Sequence, residues 1–134
     1  MPDKAFFDTN VLIYAVAEND PRGLRAEALL ASGGVVGVQV LNEFLSVARR
    51  KLRMPWRDVI EALDAIRVLC PSPIPVTIST HENALTIAEK HGFEIYDALV
   101  IAAAMEGRCT TLYSDDLQDG QVIERKLTIR NPFR

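Results

Sequence analysis

The sequence predicts an α/β fold: a three-layer sandwich in which a mainly parallel sheet of four to five strands lies between helices. Short runs of β-branched and aromatic residues alternate with amphipathic stretches along the chain. That order produces parallel strands joined by crossover helices. Residues 96–107, YDALVIAAAMEG, are apolar almost all round, which marks a helix buried inside such a sandwich. Acids follow two of the predicted strands directly, at Asp8 and at Asp115-Asp116. In open α/β sheets that edge is where sites form.

The elements follow in order. KAFF (4–7) is a short strand ending at Asp8, and Val11, Leu12, Tyr14 and Ala15 supply the apolar residues of a first helix. Asp20 before Pro21 predicts the start of a second helix, by a side-chain cap and a proline at the first helical position. Leu24, Ala28 and Ala31 form its apolar stripe, and Gly33-Gly34 end it. VVGV (35–38) is a second strand, followed by the helix 39–52 with Val40, Leu41, Phe44, Leu45, Val47 and Ala48 on a broad apolar face. The next helix opens at Pro55, with Trp56, Val59, Ile60, Leu63 and Ile66 at helical spacing, and PSPIP (71–75) closes it. VTIS (76–79) is a third strand, and Thr80 caps a helix that ends at Gly92. TTLYS (110–114) is the fourth strand and LTI (127–129) a fifth.

With no repeat, linker or low-complexity segment, residues 1–134 are expected to form a single domain. The chain is 49% hydrophobic and 25% charged, which is globular composition. No basic-then-apolar leader opens it, and no apolar stretch reaches the roughly 18 residues of a membrane span, so a soluble, cytoplasmic protein is expected. Cys70 and Cys109 lack zinc or redox spacing and are expected to be buried thiols. A net charge of −3 counts mildly against a nucleic-acid binder.

Besides Asp8, Asp115 and Asp116, two acids lie on helices. Asp97 opens the apolar helix, and Glu43 belongs to a polar line with Gln39, Ser46 and Arg50. Each has an ordinary structural reading. Asp8 and Asp97 suit helix caps, Glu43 a solvated helix face, and Asp115-Asp116 a turn. Acids at successive strand ends carry more weight, because the fold brings them together. Clustered carboxylates repel and raise one another's pKa, a cost that a divalent cation with oxygen ligands removes. Magnesium takes a few carboxylates, keeps several waters and binds phosphate. One or two such ions assist in-line phosphodiester hydrolysis. Dinucleotide and P-loop glycine motifs are absent, His81 and His91 flank one helix, and Ser46 and Ser114 lack a His/Asp arrangement.

Together FFDTNVLIY (6–14), QVLNEF (39–44), YDALVIAAA (96–104) and LYSDDLQDG (112–120) resemble the PIN-domain nucleases. Within them the chain is most similar to the VapC-like ribonuclease toxins of toxin–antitoxin pairs. The resemblance covers roughly residues 4–133. It implies a parallel sheet between helices, an acidic pocket for Mg2+ or Mn2+, and endonucleolytic cleavage of RNA. It also implies a homodimer held inactive by a cognate antitoxin. Position by position, Asp8, Glu43 and Asp97 match the first three acids of the family. The fourth falls two positions after the Ser or Thr that begins the turn, which selects Asp116 and leaves Asp115 in the variable slot. Thr9, Asn10 and Ser114 match polar positions that support the cluster by hydrogen bonding.

RRKLRMPWR (49–57) offers Arg49, Arg50, Lys51, Arg53 and Arg57 for contact with RNA or antitoxin, against the plain alternative of a solvated helix end. A second basic group is Arg125, Lys126, Arg130 and Arg134, and Trp56 is expected in the core or an interface. The competing class is a non-catalytic PIN module that binds RNA or protein partners. A phosphoryl-accepting receiver-like domain would need a late lysine near the pocket, which TTLYSDD does not offer.

Overall fold

Short apolar segments that must be buried on both faces pair in parallel at the centre of the molecule. A computed structural model describes residues 4–134; the first three residues of the predicted domain lie outside it. β1 (Ala5–Phe7), β2 (Thr111–Tyr113), β3 (Val122–Ile123) and β4 (Leu127–Arg130) form one sheet in the order β1-β2-β4-β3. β1, β2 and β4 run parallel, and β3 pairs antiparallel with β4. The register aligns Phe6 with Leu112 and Leu112 with Ile129. All three are wholly buried on one face of the sheet. On the other face Phe7 stacks on Tyr113 with ring centroids 6.0 Å apart.

Six helices are present among the described residues: α1 (Thr9–Val16), α2 (Gly23–Ala31), α3 (Val38–Arg50), α4 (Trp56–Leu69), α5 (Ile78–His91) and α6 (Ile95–Glu106). They pack as two groups, α1 to α4 together and α5 against α6. Helix α6 buries Ala98 and the whole run Val100–Ala104, as its all-round apolarity requires. Cys70 and Cys109 are free and buried, and burial pushes each thiol up to about 11.

Several local expectations are corrected. VVGV is not a full strand. Val35 bridges Phe6 and Gly37 bridges Ile74, and the chain then turns into α3 at Val38. The bridge brings the backbone so close that a Cβ on Gly34 would lie 2.6 Å from the Phe7 ring and 2.7 Å from the Ala5 carbonyl. VTIS is not a strand either. Thr77 caps α5, and the Thr77 and Thr80 side chains bond reciprocally to each other's backbone N–H. This capping box outweighs the β-propensity of Val76 and Ile78, which stand 49% and 74% exposed. The cap is therefore Thr77, with Thr80 in the first turn.

Helix α2 starts at Gly23 rather than Pro21, because Asp20 accepts from the Arg22 N–H in a turn ahead of it. Its buried stripe is Ala26, Leu29 and Leu30, while Leu24, Ala28 and Ala31 face solvent. Two leucines bury more apolar area than one leucine and two alanines, so the former face wins. Trp56 and Ile60 are also more than half exposed, leaving Val59 and Ile66 to anchor α4. No described helix is long and apolar enough to cross a membrane.

Candidate active site

The sheet register sets the site. Phe7 and Tyr113 are partners, so Asp8 and Ser114 emerge side by side at the carboxyl edge of the parallel strands. The Ser114 hydroxyl donates to Asp8 Oδ2 at 2.8 Å, and the Thr9 N–H donates to Asp8 Oδ1 at 2.7 Å. Asp8 is thus the cap of α1 as well as a wall of the cleft. Only 7% of it is exposed. Burial pushes its carboxyl up to about 6 against the pull of these two bonds, with Asp116 and Glu43 adding repulsion.

Thr9 links the first acid to the second, its hydroxyl donating to Glu43 Oε2 at 2.8 Å. Gln39, one turn earlier on α3, donates to Glu43 Oε1 at 3.1 Å. Both oxygens of Glu43 are therefore oriented. Asp97 sits in the first turn of α6 but does not cap it; Glu94 does, accepting from the Tyr96 N–H. Burial raises the Asp97 carboxyl, and the charges of Glu94, Asp116 and Glu43 add to the rise.

Asp115 and Asp116 take different directions. Asp116 lines the cleft with Asp8, Glu43 and Asp97, whereas Asp115 does not. Asp115 Oδ2 accepts from the Tyr14 hydroxyl at 2.6 Å, and its Oδ1 from Asn10 Nδ2 at 3.0 Å. The same Asn10 nitrogen lies 3.3 and 3.2 Å from the two Asp116 oxygens. The Asp116 N–H donates to Ser114 Oγ. Burial raises the Asp116 carboxyl, followed by the charges of Asp115 and Glu43. Burial and the bond to Asp115 push the Tyr14 hydroxyl up to about 12, so it remains a donor.

The cleft has a volume of about 300 Å³ and is also lined by Thr9, Asn10, Ser46, Arg50 and Tyr96. Among the described residues no three His, Cys, Asp or Glu side chains draw close enough together to hold an ion by themselves. A larger cavity of about 670 Å³, beside Lys4, Phe7, Arg25 and Gly34, has no acid, histidine or cysteine in its lining. The smaller cleft is the one with chemistry.

The basic run is divided by the fold. Arg50 lines the acid cleft. Arg49 donates to the Met54 carbonyl and lies 4.5 Å over the Trp56 ring, so it staples the end of α3. Lys51 and Arg53 line a separate hollow with Val16, Glu18 and Asp58. Tyr14 was expected to be only an apolar helix residue, and nothing local in the sequence connects its hydroxyl to a carboxylate 101 positions away. Gln39 had a visible signal, its i, i+4 spacing from Glu43.

Fold and site together define an α/β domain with an acid-lined cleft at the carboxyl edge of its parallel strands. Residues 5–119 match the PIN domain, and the chain belongs to the PIN-domain family. A comparison with curated proteins gives no match. Among solved structures it is similar to Mycobacterium tuberculosis VapC20, a sarcin–ricin loop-cleaving toxin. That match has 24% identity and a TM-score of 0.67, and covers 83% of this chain and 88% of the other. A toxin–antitoxin complex from Klebsiella pneumoniae matches at 19% identity and a TM-score of 0.72, over 97% of this chain and 98% of that one. VapBC2 from Rickettsia felis, bound to a DNA fragment of its promoter, matches at 20% and 0.60, over 95% and 97%.

Proposed function

We propose that the chain, as a single PIN-like domain, is an endoribonuclease that hydrolyses RNA phosphodiester bonds with the help of Mg2+ or Mn2+. We further propose that it is the toxin of a toxin–antitoxin pair. One observation carries the reading: Asp8, Glu43, Asp97 and Asp116, from four separate segments, line one cleft. Three of these acids, Asp8, Glu43 and Asp116, are held there by the bonds of Ser114, Thr9, Gln39 and Asn10.

The donor set fits a hard divalent cation. Every acid is an oxygen donor, and burial first, then the charges of neighbouring acids, raise Asp8, Asp97 and Asp116, a cost that a cation relieves. Asp8, Glu43, Asp97 and Asp116 would hold it. Their spread suits an ion that binds one or two carboxylates directly and the rest through water. When bound, such an ion supplies charge neutralisation at the phosphate and a more acidic water. The protein's own part is orientation. Thr9 and Gln39 fix both oxygens of Glu43, Ser114 and the Thr9 N–H fix Asp8, and Arg50 places a positive charge where a phosphate would enter.

Support for the toxin role comes from the folds of the three solved relatives, two of them determined with a partner named in the complex. The proposal includes a cognate antitoxin, a homodimer and a cytoplasmic setting. The exposed apolar side chains Trp56, Ile60, Ile78 and Leu85 are available for such partners. The absence of a tight triad of ligands among the described residues favours a second reading, a non-catalytic module that binds RNA or protein. Cleavage of a structured RNA by the purified chain decides between them. Activity with Mg2+ that is lost in excess EDTA and in Asp8→Asn is expected. Equal cleavage in EDTA overturns the metal dependence, and no cleavage with either metal overturns the nuclease reading.

A further inference from the structure

We propose that Tyr14 is a positioning residue for the fourth acid: through Asp115 and Asn10 it turns Asp115 away from the cleft and leaves Asp116 aimed into it. The inference rests on the reading that Asp116 helps to hold a divalent cation. Asn10 and Tyr14 are four residues apart on α1, so they share the helix face turned toward the 114–117 loop. Each holds one oxygen of Asp115, Tyr14 at 2.6 Å and Asn10 at 3.0 Å. With both oxygens engaged by α1, Asp115 is committed to the helix and is missing from the cleft lining. The Asn10 amide nitrogen has two hydrogens. One serves Asp115, and the other meets the Asp116 carboxylate at 3.2 Å. Asn10 therefore carries the position of Asp115 over to Asp116.

Tyr14 is itself held in place. The Arg22 guanidinium lies 3.6 Å above its ring, and Phe133 packs edge-on at 5.1 Å. Arg22 is in turn bound to Asp20 at 2.9 Å. The hydroxyl consequently donates from a fixed point. Without it, Asp115 would keep only the bond from Asn10, and the fixed point against which Asn10 is aligned toward Asp116 would be lost.

Tyr14→Phe keeps the ring, the cation above it and the edge contact, and removes only the donor. The experiment uses the full chain. It measures Mn2+ affinity by paramagnetic resonance, RNA cleavage over a range of Mg2+ concentrations, and thermal melting in EDTA. The expected result is Mn2+ binding weakened about tenfold or more. Cleavage should be slower at low Mg2+, recover at high Mg2+, and keep an unchanged KM for RNA. Asp115→Ala should weaken Mn2+ binding similarly, and the double variant no further, because both act through one link. Tyr14→Phe with wild-type Mn2+ affinity overturns the inference, and a lower melting temperature in EDTA alongside it would assign the hydroxyl to tying α1 to the loop. If Tyr14→Phe does not fold, Asp115→Ala alone carries the test, and wild-type affinity there overturns it equally. A wild type that binds no Mn2+ overturns the metal reading first and this inference with it, a result distinct from a wild type that binds and a variant that binds as well.

Discussion

Asp8 shows how one residue serves two ends. Its position between two apolar segments looked costly in the sequence, since a buried carboxylate needs a partner. The fold provides two donors, the Thr9 N–H and the Ser114 hydroxyl, yet burial still pushes it up to about 6. Moving the carboxyl from 3.8 to about 6 costs the ionised form about 3 kcal/mol. The folded chain binds this proton more tightly than the unfolded one, so the stability tied to Asp8 is fully present below about pH 4 and is lost as pH rises to about 6. Asp97 and Asp116 are raised too and push in the same direction. Denaturant unfolding in EDTA at pH 5 and pH 7 should therefore give the lower stability at pH 7. In Asp8→Asn most of that difference should vanish. A metal-free wild type that gains stability between pH 5 and pH 7 would contradict the assignment. Asp8 and Asp116 are legible from residue type and strand-end position, and Glu43 and Asp97, both on helices, from the motifs that resemble the PIN-domain family. The supporting side chains were legible only in part: Gln39 through helical spacing, Tyr14 not at all, since its partner is far away in sequence.

Among elements, those whose pattern and end signals agree were read correctly from sequence. Helix α6 was plain from its apolarity and α5 from its stop at Gly92, which adopts the left-handed conformation at the helix end. The errors came where two local preferences conflict. At 76–80 the β-branched run Val-Thr-Ile suggests a strand, while Thr77 and Thr80 form a capping box. Thr77→Ala should therefore destabilise the fold by about 1 kcal/mol, read as a lower denaturation midpoint, with metal binding unchanged. At 34–37 the chain makes isolated bridges only, from Val35 to Phe6 of β1 and from Gly37 to Ile74, a tertiary outcome that a hydrophobic tetrapeptide cannot announce. Gly34→Ala should be the more damaging change, at roughly 2 kcal/mol or more, because its Cβ would meet the backbone carbonyl of Ala5 as well as the Phe7 ring. If Gly34→Ala melts with the wild type, the close approach at this edge is wrong.

Across the whole molecule, the strand order β1-β2-β4-β3 joins residues more than a hundred positions apart, which no local pattern specifies. The α/β class and the acids at the carboxyl edge follow from alternation along the chain. The antiparallel β3 and the aligned register of Phe7 and Tyr113 do not. That register gathers like charges in one cleft, so the stability of the entire fold should answer to a cation. At free metal a hundredfold above its dissociation constant, binding to the folded state alone adds about 2.7 kcal/mol. For a chain of this length that raises the melting temperature by roughly 10 °C. Asp97→Asn tests the balance cleanly, because Glu94 rather than Asp97 caps α6 and no cap is lost. With the repulsion of Glu94, Asp116 and Glu43 relieved, the metal-free variant should melt above the metal-free wild type. The loss of an acidic charge from the first turn of α6 works against this but is weaker at an accessible site. In millimolar Mg2+ the order should reverse, since the variant has one carboxylate fewer for the cation. Melts of both proteins in EDTA and in Mg2+ measure all four values. A wild type indifferent to Mg2+, with a variant less stable in EDTA, would mean that these four acids hold the fold together and hold no ion.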